Sequence, residues 1–337
     1  MNNQAPYPWQ QHSWELLQQY RESDRLPHGL LFNGPAECGK KHFAQRFAEA
    51  VLCTANRSEH DAQHHGKACG KCHSCLLLAA GNHPDLVLLE PQEEKKTIQV
   101  DAVREFIQDA TLTPQISDRR VCLIMPADVM TSEAANSLLK TLEEPASNNH
   151  MILVTEHATH LPATIRSRCQ IVYLPLPTQQ LSLQWLQQQQ PQQQWEELLN
   201  SAAGAPLRAL SFEKSDIMHR RQQLFDSFAA LISGQQLPLA AVTVWNEEGS
   251  EMLLKWLYEW TLDLLRGRET GVENMRGLLP GRDLSNLIPS LDARKLIALI
   301  EQLVSLNRGV EERNLNRQMQ LEALAVSYTG LRSRSAP

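Results

Sequence analysis

The sequence predicts an α/β domain built on a parallel sheet, then a small helical domain, then an all-α domain. Five short apolar runs in the first half alternate with helical patterns, which is typical of parallel strands covered by helices on both faces. After about position 215 every pattern is helical. The length of 337 residues agrees with two or three domains.

The elements of the first domain follow from the positions of these runs. The predicted strands are Leu30–Phe32, Leu86–Leu89, Val121–Met125, Met151–Thr155 and Ile171–Leu174. Helical patterns lie between them at 40–52, 100–110 and 132–144. Pro175 and Pro177 then end the alternation.

A glutamine-rich segment follows, with ten glutamines between positions 179 and 194. Such a composition suits a disordered linker, but Leu181, Trp185 and Trp195 supply apolar anchors. We therefore favour a surface helix that is interrupted at Pro191.

The third domain is predicted to be entirely helical, at 219–232, 239–244, 252–266, 292–307 and 317–328. Trp256, Leu257 and Trp260 serve either the core of this domain or its packing against other chains, and we favour the core. The predicted domains are 1–176, with an insertion at 53–75, then 177–215 and 216–337.

Composition restricts the class of function. The net charge of −6 gives no basic surplus for phosphate contacts, so any DNA contact is local or shared with other subunits. No apolar run reaches the ~18 residues needed to span a bilayer. The first residues contain neither the basic nor the apolar segment of a secretory signal, so we expect a cytoplasmic protein without membrane contact.

Gly34, Gly39 and Lys40 form a phosphate-loop pattern, Gly-x4-Gly-Lys, between a strand and a helix. The glycines allow backbone N–H groups to face phosphate, and the lysine reaches the outer phosphates. The next residue should be Ser or Thr, whose hydroxyl binds Mg²⁺. Here it is Lys41, which places a positive charge where the cation belongs. An ordinary strand–turn–helix is the alternative interpretation.

The acidic pair of a hydrolytic site is also missing. Met125 and Pro126 stand where the strand at 121–125 should end in carboxylates, and Asp128 lies beyond the strand end, where we expect it to cap the following turn. We therefore expect no ATPase activity from this chain and doubtful nucleotide binding, with ATP not a cofactor.

A structural zinc site is indicated by Cys53, Cys69, Cys72 and Cys75. Thiolates at two-residue gaps converge on one ion, and a fourth distant thiolate completes the tetrahedron of structural zinc. Three unbound cysteines near a turn are the alternative. His60, His64 and His65 could replace a ligand, but a solvated loop suits them better. Cys38, Cys122 and Cys169 are expected to be small buried residues.

Two further motifs lie in the second half of the predicted α/β domain. One is the helical segment Asn136-Ser137-Leu138-Leu139-Lys140-Thr141-Leu142-Glu143-Glu144-Pro145, and the other is Leu161-Pro162 followed by Ser167-Arg168-Cys169. With the cysteine insertion after the phosphate loop, they resemble the subunits of the bacterial DNA polymerase III sliding-clamp loader, a pentameric AAA+ assembly. The motifs cover residues 5 to 212, and the C-terminal part matches in layout only.

The resemblance implies an AAA+ fold with a helical lid and a C-terminal collar domain. It implies that Arg168 is an arginine finger, acting in trans on ATP bound by a neighbouring subunit. It also implies a heteropentamer with gamma/tau motor subunits and a delta subunit, which loads the sliding clamp onto primed DNA. The defective phosphate loop favours a non-hydrolysing stator subunit over a gamma/tau-like motor subunit. A zinc-dependent DNA-binding module outside any loader is a further alternative. Thr155 matches a position that senses bound nucleotide in the family, but we expect no nucleotide beside it in this chain.

Overall fold

The computed structural model describes residues 6–57, 66–91, 97–191, 195–214, 217–246, 250–272, 275, 287–309 and 317–331. The chain divides into two compact units, one of residues 1–192 and 204–208, the other of residues 193–203 and 209–337. The predicted three-domain division remains a prediction.

The first unit contains a five-stranded sheet in which every neighbouring pair is parallel. The strands are β1 Gly29–Asn33, β2 Leu86–Leu89, β3 Arg120–Ile124, β4 Asn149–Thr155 and β5 Gln170–Tyr173. Their spatial order is β2-β3-β4-β1-β5. All five predicted strands are confirmed to within two residues.

Helices cover both faces of this sheet. They are α1 Gln11–Glu22, α2 Lys40–Leu52, α3 His73–Ala79, α4 Val100–Ala110, α5 Ser132–Ser137, α6 Leu139–Glu143, α7 Ala163–Arg166 and α8 Gln179–Gln189. Side chains of β1 alternate between the two faces: Leu30 and Phe32 pack with α1 and α2, whereas Leu31 packs with α4 to α7. The near-continuous burial of β1, β3 and β4 explains their uninterrupted apolar sequences.

One element differs from its prediction. The single helix predicted at 132–144 is two segments, α5 and α6, because the chain departs from regular helix at Leu138. Leu138 is fully buried against the sheet, as is most of Leu142 on the following turn. Packing on the sheet therefore prevails over a continuous helical pattern.

The second unit is helical throughout its described part. Its helices are α9 Trp195–Ser201, α11 Ile217–Ser233, α12 Pro238–Trp245, α13 Ser250–Thr270, α14 Ala293–Gly309 and α15 Arg317–Thr329, while α10 Pro206–Lys214 begins in the first unit. The glutamine-rich segment is helical from Gln179 and breaks at Pro191, as predicted. Trp256, Leu257 and Trp260 are fully buried in the core of this unit, which confirms the core interpretation.

Candidate functional site

A cavity of about 520 Å³ opens at the edge of the sheet where β1, β3 and β4 end. Because parallel strands present their carboxyl ends at one edge, the segments after these strands meet there. The lining residues are Glu37, Gly39, Lys40, Lys41, His42, Gln45, Glu90, Met125, Pro126, Val154, Thr155, Glu156 and Leu207. The predicted phosphate loop and the residues that follow β3 therefore lie around one cavity.

The two glycines of the loop are needed for close approach. A Cβ at Gly34 would lie 2.1 Å from the carbonyl oxygen of Leu174, and one at Gly39 would lie 2.6 Å from the ring of Tyr7. Gly39 also has a φ of 90°, which side-chain-bearing residues rarely adopt. The loop conformation thus depends on glycine at both positions.

The lysines of the loop bind to groups of their own chain. Lys40 is buried, and its Nζ donates to the carbonyl of Pro35 at 2.6 Å and lies 3.4 Å from the carboxylate of Glu156. Lys41 pairs with Glu90 at 2.6 Å. Glu90 follows β2 and Glu156 follows β4, so carboxylates at strand ends balance both lysine charges.

The end of β3 offers no carboxylate to a cation. Met125 is buried and Pro126 follows it into the cavity wall. The prediction that Asp128 caps the turn after β3 is wrong. Asp128 Oδ2 accepts from the N–H groups of Glu156 and His157, at 3.3 and 3.1 Å, and so holds the end of β4. Thr155 is buried there, and its Oγ1 also accepts from the N–H of His157.

An N-terminal strap, residues Tyr7 to Gln10, packs on the phosphate loop. Trp9 Nε1 and Gln10 Nε2 both donate to the carbonyl of Cys38, at 2.9 and 3.0 Å. Tyr7 stacks on Trp9 with 4.8 Å between ring centroids, and both rings meet the edge of Trp185 on α8. Protein side chains therefore link the loop to α8.

Cys53, Cys69, Cys72 and Cys75 come together in space, with all four sulphur atoms within 4.8 Å of one another. Cys53 ends α2, and Cys72 precedes α3. The Cys53–Cys72 and Cys69–Cys75 sulphur distances are both 3.9 Å. A zinc tetrathiolate with Zn–S bonds of about 2.3 Å has edges of about 3.8 Å, so the cluster fits such an ion.

Backbone donors around the cluster also favour negative charge on its sulphur atoms. The backbone N–H groups of Cys69, Cys72 and Cys75 donate to sulphur atoms of the cluster at 3.3 to 3.4 Å. Hydrogen bonding from the Cys75 thiol lowers the pKa of Cys53 to about 4, and the same contact raises the pKa of Cys75. His60, His64 and His65 lie outside the described residues. Cys38, Cys122 and Cys169 are buried, as predicted.

Arg168 lies just before β5, and its side chain is about one-third exposed. Its Nη1 donates to the carbonyl of Thr164 at 2.9 Å, and its Nη2 forms an ion pair with Glu143. The two sequence motifs are therefore joined in space, since Glu143 ends α6 and Thr164 belongs to α7.

Arg168 and the phosphate loop lie at opposite edges of the sheet. The carbonyl of Arg168 is 3.1 Å from where a Cβ on Gly29 would be, at the start of β1, whereas the loop begins where β1 ends. Five residues of strand separate the two by roughly 16 Å. Arg168 therefore cannot serve the phosphate loop of its own chain.

Reasoning from sequence missed Glu90 and Glu156, the carboxylates that pair with Lys41 and Lys40. It included Glu143 in a motif but missed its pairing with Arg168. For Glu90 and Glu156 a signal existed, because each directly follows a predicted strand. No described helix is both long and apolar enough to cross a membrane.

Comparisons of the sequence with family models and with curated relatives point to the same family over most of the chain. Residues 9–178 match the family model described as DNA polymerase III, delta subunit, and residues 215–329 match that of its C-terminal part. The DNA polymerase III subunit delta' of Pseudomonas aeruginosa is 34% identical over 330 residues, which cover 96% of this chain and 98% of that one. The Escherichia coli subunit delta' is 31% identical, covering 89% and 90%.

Among solved structures, a gamma subunit-related protein from Thermotoga maritima is 18% identical with a TM-score of 0.47, covering 94% of this chain and 99% of that one. The assignment rests on the sequence comparisons, which span both units. The chain belongs to the family of the DNA polymerase III subunit delta'.

Proposed function

We propose that this protein is a non-hydrolysing stator of the DNA polymerase III clamp loader. In this role it helps a heteropentamer with gamma/tau motor subunits and a delta subunit to load the sliding clamp onto primed DNA in the cytoplasm. Its own contribution to chemistry is Arg168, offered to ATP in the site of a neighbouring motor subunit. ATP is not expected to be a cofactor of this chain.

The observation that carries the proposal is the contrast between the two edges of the sheet. At the carboxyl edge Lys41 occupies the position that should supply a magnesium ligand, and it is already paired with Glu90 at 2.6 Å. At the amino edge Arg168 is accessible and too far from its own loop to act in cis. A gamma/tau-like motor needs the first edge intact, so the stator suits these residues better than that alternative.

The physical effect of Arg168 would be electrostatic. Charge builds on the phosphoryl oxygens in the transition state, and a guanidinium supplied in trans accelerates comparable reactions by about 10³–10⁵. The delocalised, planar guanidinium binds such oxygens through two N–H groups at once.

We also propose that the four-cysteine cluster holds structural zinc. Cys53, Cys69, Cys72 and Cys75 supply four soft donors and leave no position for a substrate or water, so the ion has no catalytic task. It fastens the insertion to the end of α2. Ser74, which belongs to the insertion, reinforces that junction, since its hydroxyl donates to the carbonyl of Leu52 at 2.7 Å.

The test of the stator role is Arg168→Ala in a loader reconstituted with all its subunits. We expect the variant to assemble normally and to lose the turnover of one ATP site, which lowers clamp- and DNA-stimulated ATPase activity. Arg104→Ala is the matched control, because Arg104 is also an exposed arginine paired with a carboxylate, Asp101, at 3.2 Å. Wild-type stimulated ATPase in Arg168→Ala would eliminate the arginine-finger role.

A further inference from the structure

The guanidinium of Arg168 is held from two sides by its own chain. Arg168 Nη1 donates to the carbonyl of Thr164, and Nη2 pairs with the carboxylate of Glu143. Arginine has five N–H donors, so at least three remain without an acceptor in the described part of the chain. Those three suffice for a two-point contact with an external phosphate.

Both groups that hold Arg168 are fixed to the sheet. Leu142, next to Glu143, is buried, and its Cδ2 lies 3.3 Å from where a Cβ on Gly29 would be. Ile165, next to Thr164, is fully buried. Two short helices with buried anchors therefore determine where the acceptors of Arg168 stand.

We propose that Glu143 is a positioning residue for Arg168, orienting its guanidinium for a phosphate on the neighbouring subunit. The proposal rests on the arginine-finger role proposed above. Glu143 and Arg168 are both accessible to solvent in the isolated chain, where an ion pair is weak. A neighbouring subunit that covers the pair excludes water and so strengthens the attraction between Glu143 and Arg168. The arginine is then held in place when it contacts the phosphate.

The neighbouring residue makes the assignment specific. Glu144 is exposed, and within the described residues its side chain makes no hydrogen bond or ion pair. The two glutamates differ little in sequence position or exposure, but only Glu143 contacts Arg168. Glu144→Ala is therefore a matched control for Glu143→Ala.

The test measures ATPase kinetics of the reconstituted loader at saturating clamp and primed DNA. Without Glu143 the long side chain of Arg168 is free and must be ordered again in each turnover. We therefore expect Glu143→Ala to lower kcat by roughly 3- to 30-fold. The KM for ATP should stay within about twofold, because positioning acts on the transition state. Glu143→Gln should retain most of kcat, since its amide oxygen still accepts from Arg168, and Glu144→Ala should match wild type.

Two further measurements separate positioning from a general structural role. The double variant Arg168→Ala/Glu143→Ala should be no slower than Arg168→Ala alone. In the isolated full chain, NMR relaxation of the Arg168 Nε–H group, assigned by its loss in Arg168→Ala, should show greater mobility in Glu143→Ala but not in Glu144→Ala.

Three results would overturn the proposal: turnover of Glu143→Ala at or above wild type, a further loss when it is combined with Arg168→Ala, or unchanged mobility of Arg168. A failure of the proposed function looks different, because it appears as wild-type ATPase activity in Arg168→Ala itself. In that case the NMR measurement still decides whether Glu143 orders the arginine.

Discussion

Three cations that the sequence motifs single out are each paired with a glutamate of their own chain: Lys40 with Glu156, Lys41 with Glu90 and Arg168 with Glu143. The burial of Lys40 makes its pair the most consequential, since an unpaired buried ammonium is costly. Lys41 and Glu90 are exposed, so their ion pair adds little stability. Its significance is chemical, because the residue after Lys40 offers a paired ammonium and no hydroxyl to a divalent cation.

A buried histidine provides a test of stability at the residue scale. His150 lies near the start of β4, at the edge of the sheet away from the phosphate loop. Its Nδ1 is 3.0 Å from the carbonyl of Pro27, and burial lowers its pKa to about 4. The unfolded chain, with a histidine pKa near 6.5, binds this proton more readily, so stability falls as pH falls from about 6.5 towards 4.

We expect His150→Gln to remove this part of the pH dependence, since an amide can still donate to Pro27. Between pH 7 and pH 4.5 the wild type should lose on the order of 2–3 kcal/mol more unfolding free energy than the variant. Urea denaturation at both pH values measures the difference, with His12→Gln, at an exposed position, as the control. Equal losses in wild type and His150→Gln would contradict the assignment.

At the scale of elements, the cysteine cluster joins the end of the buried helix α2 to the short helix α3. Cys53 stands at the end of α2 and Cys72 at the start of α3, and α3 has only seven residues. A helix that short is not stable by itself in water. The cluster, with the hydroxyl of Ser74 on the carbonyl of Leu52, therefore holds α3 in place.

Replacing one ligand should release this element. We expect Cys72→Ser to lose zinc and to lower the melting temperature by about 5 °C or more, because metal binding contributes directly to folding. Elemental analysis and thermal unfolding of the purified chain measure both effects. Cys122→Ala, which removes a buried thiol outside the cluster, should keep a single zinc ion per chain. Wild-type protein that is folded without zinc would refute the site.

At the scale of the whole molecule, the sheet separates the predicted phosphate loop at one edge from Arg168 at the other. Hydrolysis requires a magnesium ligand after the loop lysine and carboxylates at the end of β3, and this chain has Lys41, Met125 and Pro126 instead. These three residues all line one cavity. Restoring one residue would therefore not restore the site.

We accordingly expect the isolated full chain to show no ATP hydrolysis above background with Mg²⁺ present. A phosphate-release assay on wild type and Lys40→Ala should give the same rate for both. Lys41→Thr should also remain inactive, because it regains a hydroxyl without any carboxylate at Met125 or Pro126. Turnover in the wild type that disappears in Lys40→Ala would show that the chain is a motor.

Local patterns were sufficient to predict much of this protein. The five strands, the loop between β1 and α2, the break at Pro191 and the convergence of four cysteines all depend on residues close in sequence or on residue type. Apolar runs, glycine spacing and thiolate spacing each have a local physical cause. Cys53 and Cys69 are 16 residues apart, yet their sulphur atoms lie within 4.8 Å of each other.

The tertiary structure alone decided which groups face each other. Lys40 and Glu156 are 116 residues apart, Lys41 and Glu90 are 49 apart, and Arg168 and Glu143 are 25 apart. The first contact follows from the pairing of β1 with β4, which sets the ends of these two strands side by side. The other two contacts join segments that only the packing of helices and strands brings together. The sequence by itself therefore determined which residues could do chemistry, and only the packing of the parallel sheet determined that Arg168 lies at the edge away from its own phosphate loop.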